Sequence, residues 1–202
     1  MAQLAMNKSE LQRQRQQLVL YRRLLPSLEL KRQQLRAEAN KAQKYLDDVS
    51  GELTTNQQRS AEQLPMLANQ ELDLSGLVTV KDVILADDNV VGVNVPKVVE
   101  VQLEVASYGL LARPHWVDVW REQLQDLVRL EITQEVAKVR YKKLEYAVKR
   151  TTQRVNLFDK VLIPQAEDTI RRIQIFLADA DRAAVVRAKL AKQKRQAEAE
   201  AR

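Results

Sequence analysis

Cysteine is absent from this chain of 202 residues, which excludes disulfide bonds and thiolate metal sites and fits a reducing cytosol. Histidine occurs only once, so we expect no metal site built from spaced histidine and cysteine ligands. The four glycines are scattered, and neither glycine-rich phosphate-binding motif, G-x-x-x-x-G-K-[ST] or G-x-G-x-x-G, is present. We therefore expect no cofactor, no nucleotide and no catalysis by this chain itself.

Long hydrophobic runs are also missing. No stretch of about 18 apolar residues occurs, so the sequence predicts no transmembrane helix. Residues 1–8 lack the apolar core of a signal peptide. We expect a cytoplasmic protein without direct membrane insertion.

Aromatic residues make up only 4% of the chain, whereas charged residues make up 30%. Long helices have this composition because a two-helix seam needs only a narrow apolar stripe. A hydrophobic content of 45% is too high for a disordered chain. The formal net charge of +6 admits nucleic acid, acidic lipid or an acidic protein cavity as a partner, and the sign alone does not choose among them.

Residues 1–64 are predicted to form one coiled-coil helix, because leucines recur at heptad spacing through most of this segment. The predicted seam residues in it are Leu11, Leu18, Leu25, Leu28 and Leu35. Pro26 is expected to kink the helix, and Leu64-Pro65 is expected to end it. Arg32 also occupies a core heptad position, where its stem can lie along apolar surface or its charge can pair with the opposing helix.

A connector, residues 65–113, is predicted to contain a β-hairpin at about 77–106. Two β-branched, partly alternating stretches, Leu77–Leu85 and Val98–Val105, predict strands. Turn-forming residues lie between them: Ala86–Asn89, Gly92 and Pro96. We place Val90–Val95 in one arm of the hairpin and leave the register open.

Residues 114–195 are predicted as a second coiled-coil helix, followed by a frayed basic tail at 196–202. Its apolar seam changes frame by one position near Pro164, so we expect a local twist or kink there. The predicted seam residues on the two sides of this change are Val155, Leu162, Ile163, Ile170, Ile173 and Leu177. The resulting fold class is mostly α: a long antiparallel two-helix coiled coil with a small β-hairpin insert between the helices.

The proline in the second helix lies within a longer pattern. Arg154–Ile170 reads R-V-N-x-x-x-x-x-x-I-P-x-x-E-x-T-I, which resembles the signature of the D subunit of V-type (vacuolar and archaeal-type) ATPases. Leu28–Leu35 is similar to the L-x-x-K-R-x-x-L element of that family, and Val91–Pro96 is similar to its V-x-G-V-x-V-P element. The order of helix, β-insert, helix and basic tail also agrees, so the resemblance extends over nearly the whole chain.

This resemblance implies a central-stalk rotor subunit without catalytic activity of its own and without a nucleic-acid partner. In such complexes the paired helices enter a hexamer of A and B subunits, and the lower part binds the F subunit and the funnel-shaped subunit above the membrane ring. ATP hydrolysis or synthesis is coupled by rotation to proton or sodium transport, and the shaft lies on the cytoplasmic face of the membrane. The expected partner contacts are Lys31, Arg32, Val91, Val93, Arg154, Asn156, Glu167, Arg187, Lys189 and Lys192.

Two other classes of protein remain as alternatives. A basic coiled-coil scaffold that binds nucleic acid or acidic membrane fits the net charge, although basic residues are interleaved with acidic ones and few aromatics are available for stacking. The shaft of F-type complexes fits less well, because the segment between Pro65 and Pro114 is too short for the α/β domain of that protein. For the polar residues Arg154, Asn156 and Glu167, simple exposure to solvent is an equally good interpretation.

Overall fold

The computed structural model describes residues 5–65, 74–108 and 113–200, with the side chains of 198–200 left out. Parts of the predicted connector (66–73 and 109–112) and the end of the predicted basic tail (201–202) lie outside the described residues. The elements in chain order are α1 (Lys8–Gln63), β1 (Val78–Val90), β2 (Val93–Val105), α2 (Trp116–Leu157), a π turn (Phe158–Leu162) and α3 (Ile163–Glu200). The mostly helical fold with a hairpin between long helices is therefore confirmed. Within the described residues, no helix combines the length and apolarity that a membrane span requires.

Helix α1 has clear local reasons for its two ends. The backbone N–H of Glu10 donates to Oδ1 of Asn7 at 2.7 Å, so Asn7 caps the first turn. The helix ends at Gln63, ahead of Pro65, as the sequence predicted. Between these ends α1 continues through Pro26 without interruption. The kink expected at Pro26 stays a prediction.

The hairpin is present, and its turn contains Gly92 as predicted, but not the other residues that were assigned to it. Ala86–Asn89 belong to β1 and Pro96 belongs to β2, so their assignment to a turn was wrong, as was the placement of Val90–Val95 in one arm. The chain reverses at Val91 and Gly92, whose φ angles are 53° and 79°. Two positive φ angles are what a two-residue hairpin turn needs to match the twist of its strands. In a two-stranded sheet both strands are edges, which is why Pro96 is tolerated in β2.

Asparagine side chains brace this turn. Gly92 donates its backbone N–H to Oδ1 of Asn89 at 2.9 Å, and Nδ2 of Asn89 donates to Oδ1 of Asn94 at 3.0 Å. Asn89 and Asn94 also face each other across the two strands. These side-chain bonds hold the reversal although a valine, rather than asparagine, occupies its first position.

Val91 carries backbone strain, because a β-branched residue at positive φ is an outlier that costs about 1–2 kcal/mol. Asparagine adopts this region more readily. Both Val91 and Val93 are half-buried, so replacing either with asparagine should lower the free energy of unfolding. We expect the loss to be about 1 kcal/mol smaller for Val91→Asn than for Val93→Asn, because only Val91 has a positive φ. Urea unfolding of the two variants provides the comparison. Equal losses would mean that no strain is relieved at Val91.

The chain divides into two compact units. The first comprises Met1–Leu30 and Thr152–Arg202, and the second comprises Lys31–Thr151. The first unit thus contains the first part of α1, the end of α2, the π turn and α3. The second unit contains the rest of α1, the hairpin and most of α2.

The second unit contains an antiparallel helix pair with the hairpin packed on it. Side-chain hydrogen bonds join Gln123 to Gln63 at 3.0 Å and Gln134 to Ser50 at 2.9 Å, so α1 and α2 run in opposite directions. A buried cluster lies further along the same pair: Leu35, Ala39, Ala42, Val95 and Leu144. Val95 comes from β2, so the hairpin contributes directly to the helix-pair core.

The first unit contains the π turn. The backbone N–H of Ile163 donates to the carbonyl of Phe158, five residues earlier, and Pro164 follows immediately. A turn of this kind encloses one residue more than an α-helical turn. It therefore accounts for the one-residue change of frame. The twist or kink expected at Pro164 stays a prediction.

Helix α1 contacts both sides of this irregularity within the first unit. The rings of Tyr21 and Phe158 meet edge to face, with centroids 5.5 Å apart, and Nη2 of Arg22 lies 2.6 Å from Oε1 of Glu167. These two residues of α1 are about one turn ahead of Pro26, and their partners lie on either side of Pro164. That Pro26 and Pro164 act at one level of the pair remains a prediction, which these contacts support.

Candidate partner-binding surfaces

The eleven predicted seam residues are all at least partly buried. Leu35, Val155 and Ile173 are buried, with exposed fractions of 1%, 3% and 0%. Half-buried positions account for the others: Leu11, Leu18, Leu25, Leu28, Leu162, Ile163, Ile170 and Leu177. Pro26 and Pro164 are exposed.

The predicted contact residues of the first unit are exposed. Arg154 and Asn156 face solvent, whereas Glu167 is held by Arg22 of α1. The ion pair is half in solvent, with side-chain exposures of 61% and 47%, so its contribution to stability is at most about 1 kcal/mol. The Glu167 carboxylate is thus partly occupied by a contact within the chain's own helix pair.

The outer part of α3 is exposed along its whole circumference. Every side chain from residue 178 to 197 is exposed, including the predicted contacts Arg187, Lys189 and Lys192. Apolar side chains are exposed beside these cations: Val185, Val186 and Leu190, with exposed fractions of 58%, 56% and 54%. A helix with cations and apolar side chains on open faces offers both charge attraction and apolar contact to a partner.

The predicted contact residues of the second unit gather at the hairpin turn. Val91 and Val93 pack against the cluster of Leu35, Val95 and Leu144, so part of their surface serves the chain's own core. Lys31 is exposed, and its Nζ approaches Gly92 so closely that a Cβ on this glycine would lie 3.4 Å from it. Arg32 is half-buried. The hairpin tip and the adjoining turn of α1 therefore form one continuous surface.

A groove without any signal in the sequence lies between α1, α2 and β2 of the second unit. Its volume is about 430 Å³. Ala42, Ala137 and Pro96 form its floor, with Val98 of β2 beside them. Three lysine and arginine side chains also line the groove: Lys41, Lys97 and Arg140.

A second feature that sequence reasoning missed surrounds Tyr108. Its hydroxyl donates to Oδ1 of Asp118 at 2.8 Å, and the guanidinium carbons of Arg113 and Arg121 lie 5.1 and 5.6 Å from the ring centroid. Partial burial, together with the hydrogen bond to Asp118 and its negative charge, raises the pKa of the Tyr108 hydroxyl. The cluster joins Tyr108 to the first turns of α2. In residues 5–65, 74–108 and 113–200, no three side chains of metal-ligating type come together as a metal site.

The similarity of this chain to known proteins extends over α1, the hairpin, α2 and most of α3. A model of the family described as the D subunit of ATP synthase matches residues 10–193. The chain is 33% identical over 195 residues to the D subunit of V-type ATP synthase from Borreliella burgdorferi, covering 95% of each chain. It is 32% identical to the proteins of the same name from Chlamydia pneumoniae, covering 95% of this chain and 93% of that one, and Chlamydia muridarum, covering 96% of each. The resemblance suggested by the motif around Pro164 is thereby confirmed, and the chain belongs to the family of ATP synthase D subunits.

Proposed function

We propose that this chain is the central-stalk rotor subunit of a V-type ATP synthase or ATPase. Its rotation would couple ATP hydrolysis or synthesis in a hexamer of A and B subunits to proton or sodium transport through a membrane ring. The observation that carries the proposal is the family match over residues 10–193, which includes nearly all of α1, the hairpin, α2 and most of α3. Relatives that share about a third of their residues with this chain over nearly its whole length are named as the D subunit of such complexes.

The proposed partners follow from the same membership. They are the A and B subunits, the F subunit and the funnel-shaped subunit above the membrane ring, and we place the chain on the cytoplasmic face of the membrane. The chain is proposed to act without catalysing a reaction itself. In this role its surfaces have to hold partners, whereas its helix pairs have to resist twisting.

The packing of the helix pairs supports the second of these requirements, which is resistance to twisting. In a paired helix each seam side chain is held by side chains of the facing helix, so the pair resists torsion better than a single helix does. Seam residues such as Leu35 and Leu144 in the second unit, and Ile173 in the first, are fully buried. Torque applied to either unit would then have to displace packed side chains.

The outer part of α3 is proposed as the part that enters the hexamer. Its exposed cations, among them Arg187, Lys189 and Lys192, would face the inner wall of the cavity. Charged side chains suit a surface that must move past several different neighbours, because deep apolar interlocking would favour one orientation. The hairpin tip, with Val91 and Val93, is proposed as a docking or regulatory part, and the remaining predicted contacts are proposed as side contacts: Lys31, Arg32, Arg154, Asn156 and Glu167.

The native mass of this chain mixed with the A, B and F subunits of its own organism tests the proposal. We expect one copy of the chain bound per three A and three B subunits, together with one F subunit. A homodimer that ignores all three would contradict the proposal. In that event salt-dependent binding to nucleic acid would become the next measurement, since counterion release makes such binding weaken steeply with salt.

A further inference from the structure

The groove between α1, α2 and β2 has the composition of a preformed binding site. Its floor is made by Ala42 and Ala137, which are only 7% and 4% exposed, and by the buried Pro96. Because three different elements supply these residues, the shape of the floor does not depend on one mobile loop. A volume of about 430 Å³ accommodates a large apolar side chain and the chain segment that carries it.

Positive charge surrounds this apolar floor and is only partly compensated by acids. Lys41 pairs with Glu38 at 2.7 Å, and Arg140 pairs with Asp88 at 3.0 Å. Lys97 forms no ion pair with any residue that the structure describes, and it is exposed. Two of the three cations around the groove are thus paired with acids, and Lys97 is the one left without an ion pair among the described residues, so the rim attracts a carboxylate at Lys97.

Tyr45 adds an aromatic side chain at the same rim, with an exposed fraction of 50%. Tyrosine and arginine are among the residue types that dominate the energetics of protein interfaces. The groove is thus apolar at its centre and charged at its edge, as protein-binding surfaces are.

We propose that this groove binds an acidic segment of another subunit of the complex, which inserts one large apolar side chain onto Ala42 and Ala137 and places a carboxylate beside Lys97. The inference rests on the proposed function, because it requires the chain to be part of a multisubunit assembly. Charge complementarity commits the site to an acidic protein segment. A nucleic acid would contact the cations but not the apolar floor.

Carbodiimide coupling in the assembled complex tests the site directly, because this reagent joins a lysine amine to a carboxylate in contact with it. We expect Lys97 to be coupled to an aspartate or glutamate of one other subunit, identified by mass spectrometry of the joined peptides. Lys142, an exposed lysine of α2 outside the groove, is the matched control and should not be coupled to that protein.

The same partner should bind more weakly to a Lys97→Glu chain. We expect about a tenfold loss of affinity, since one attraction is replaced by one repulsion, and less than about a twofold change for Lys142→Glu. Both lysines are exposed, so neither change should prevent folding.

The possible results separate the two proposals. An intact complex in which Lys97 is coupled no more than Lys142, or only to carboxylates of this chain, overturns the groove assignment and leaves the rotor proposal standing. Equal affinities of the two variants for every other subunit would overturn it as well. A chain that does not enter any complex contradicts the proposed function, and the groove assignment with it.

Discussion

Deleting Lys160 together with the substitution Pro164→Ala is expected to leave the free energy of unfolding within about 1 kcal/mol of the native value, which is an unusual result for a helical deletion. The physical reason is that the π turn of Phe158–Leu162 already contains one residue more than an α-helical turn. Removing an exposed residue from it converts the turn to α-helix without moving the seam residues that flank it. In an ordinary helix, the same deletion rotates every following side chain by about 100°, which takes the apolar stripe off its partner.

Pro164 is the reason that the substitution is needed. The last π-type bond is donated by Ile163, and the next residue, Pro164, has no N–H to donate. The residue without an N–H, Pro164, therefore lies at the point where π-type hydrogen bonds, which span five residues, give way to α-helical ones, which span four. After the deletion alone, Pro164 would lie inside an uninterrupted α-helix, at a cost of about 3 kcal/mol. Pro164→Ala alone should change stability by less than about 1 kcal/mol, because the frame change still requires the π turn.

A four-variant cycle measures this coupling by urea unfolding followed by circular dichroism. The native chain, each single change and the double change are compared, and deletion of Lys142 in the Pro164→Ala chain is the control. Lys142 is exposed, and it lies in the regular part of α2 close to the buried Leu144. Its deletion is expected to cost more than about 3 kcal/mol, since it moves a packed seam out of frame. If the two deletions cost the same in the Pro164→Ala background, the π turn does not serve to absorb an extra residue.

The frame change was visible in the sequence, but its structural form was not. Val155 and Leu162 belong to one seven-residue series, and Ile170 and Ile173 belong to another that is offset by one position. An offset of this kind can be absorbed by a kink, by local unwinding or by a π turn, and spacing alone does not choose among them. Pro26 illustrates the limit, because a proline without such an offset left α1 uninterrupted.

The hairpin turn was misplaced for a related reason. Ala86–Asn89 contains residues that favour turns, whereas the actual turn contains Val91, which disfavours positive φ. Packing of Val91 and Val93 against the helix-pair cluster, together with the Asn89 bonds, outweighs that local preference. Local propensity predicts strands and turns well only where tertiary contacts agree with it.

The groove could not be predicted because its residues are distant in sequence. Glu38–Tyr45, Pro96–Val98 and Thr133–Arg140 come together only when the register of the helix pair and the docking of the hairpin are known. Neither Ala42 nor Ala137 has a local pattern that marks it as the floor of a site. Heptad spacing predicts a seam from one helix at a time, whereas a groove is defined by three elements at once.

Leu144→Ala is expected to destabilise the chain strongly, with a loss of about 2–5 kcal/mol in the free energy of unfolding. Leu144 is 1% exposed and shares a buried cluster with Leu35 of α1 and Val95 of β2. Truncating it removes apolar contacts and leaves a cavity at the place where the helix pair holds the hairpin. Leu30→Ala is the matched control, because Leu30 lies in α1 with an exposed fraction of 56%, and it should cost less than about 0.5 kcal/mol.

Hydrogen exchange would separate two ways in which the Leu144→Ala chain can respond. If the cluster is what holds the hairpin on the helices, backbone amides of β1 and β2 should lose protection together with those of α2 around residue 144. The paired strands would then open as one unit, since Val95 is buried within this cluster. Loss of protection confined to α2, with β2 unchanged, would contradict this dependence and would mean that the hairpin is held in place by other contacts, of which the Arg140–Asp88 ion pair at 3.0 Å is the clearest.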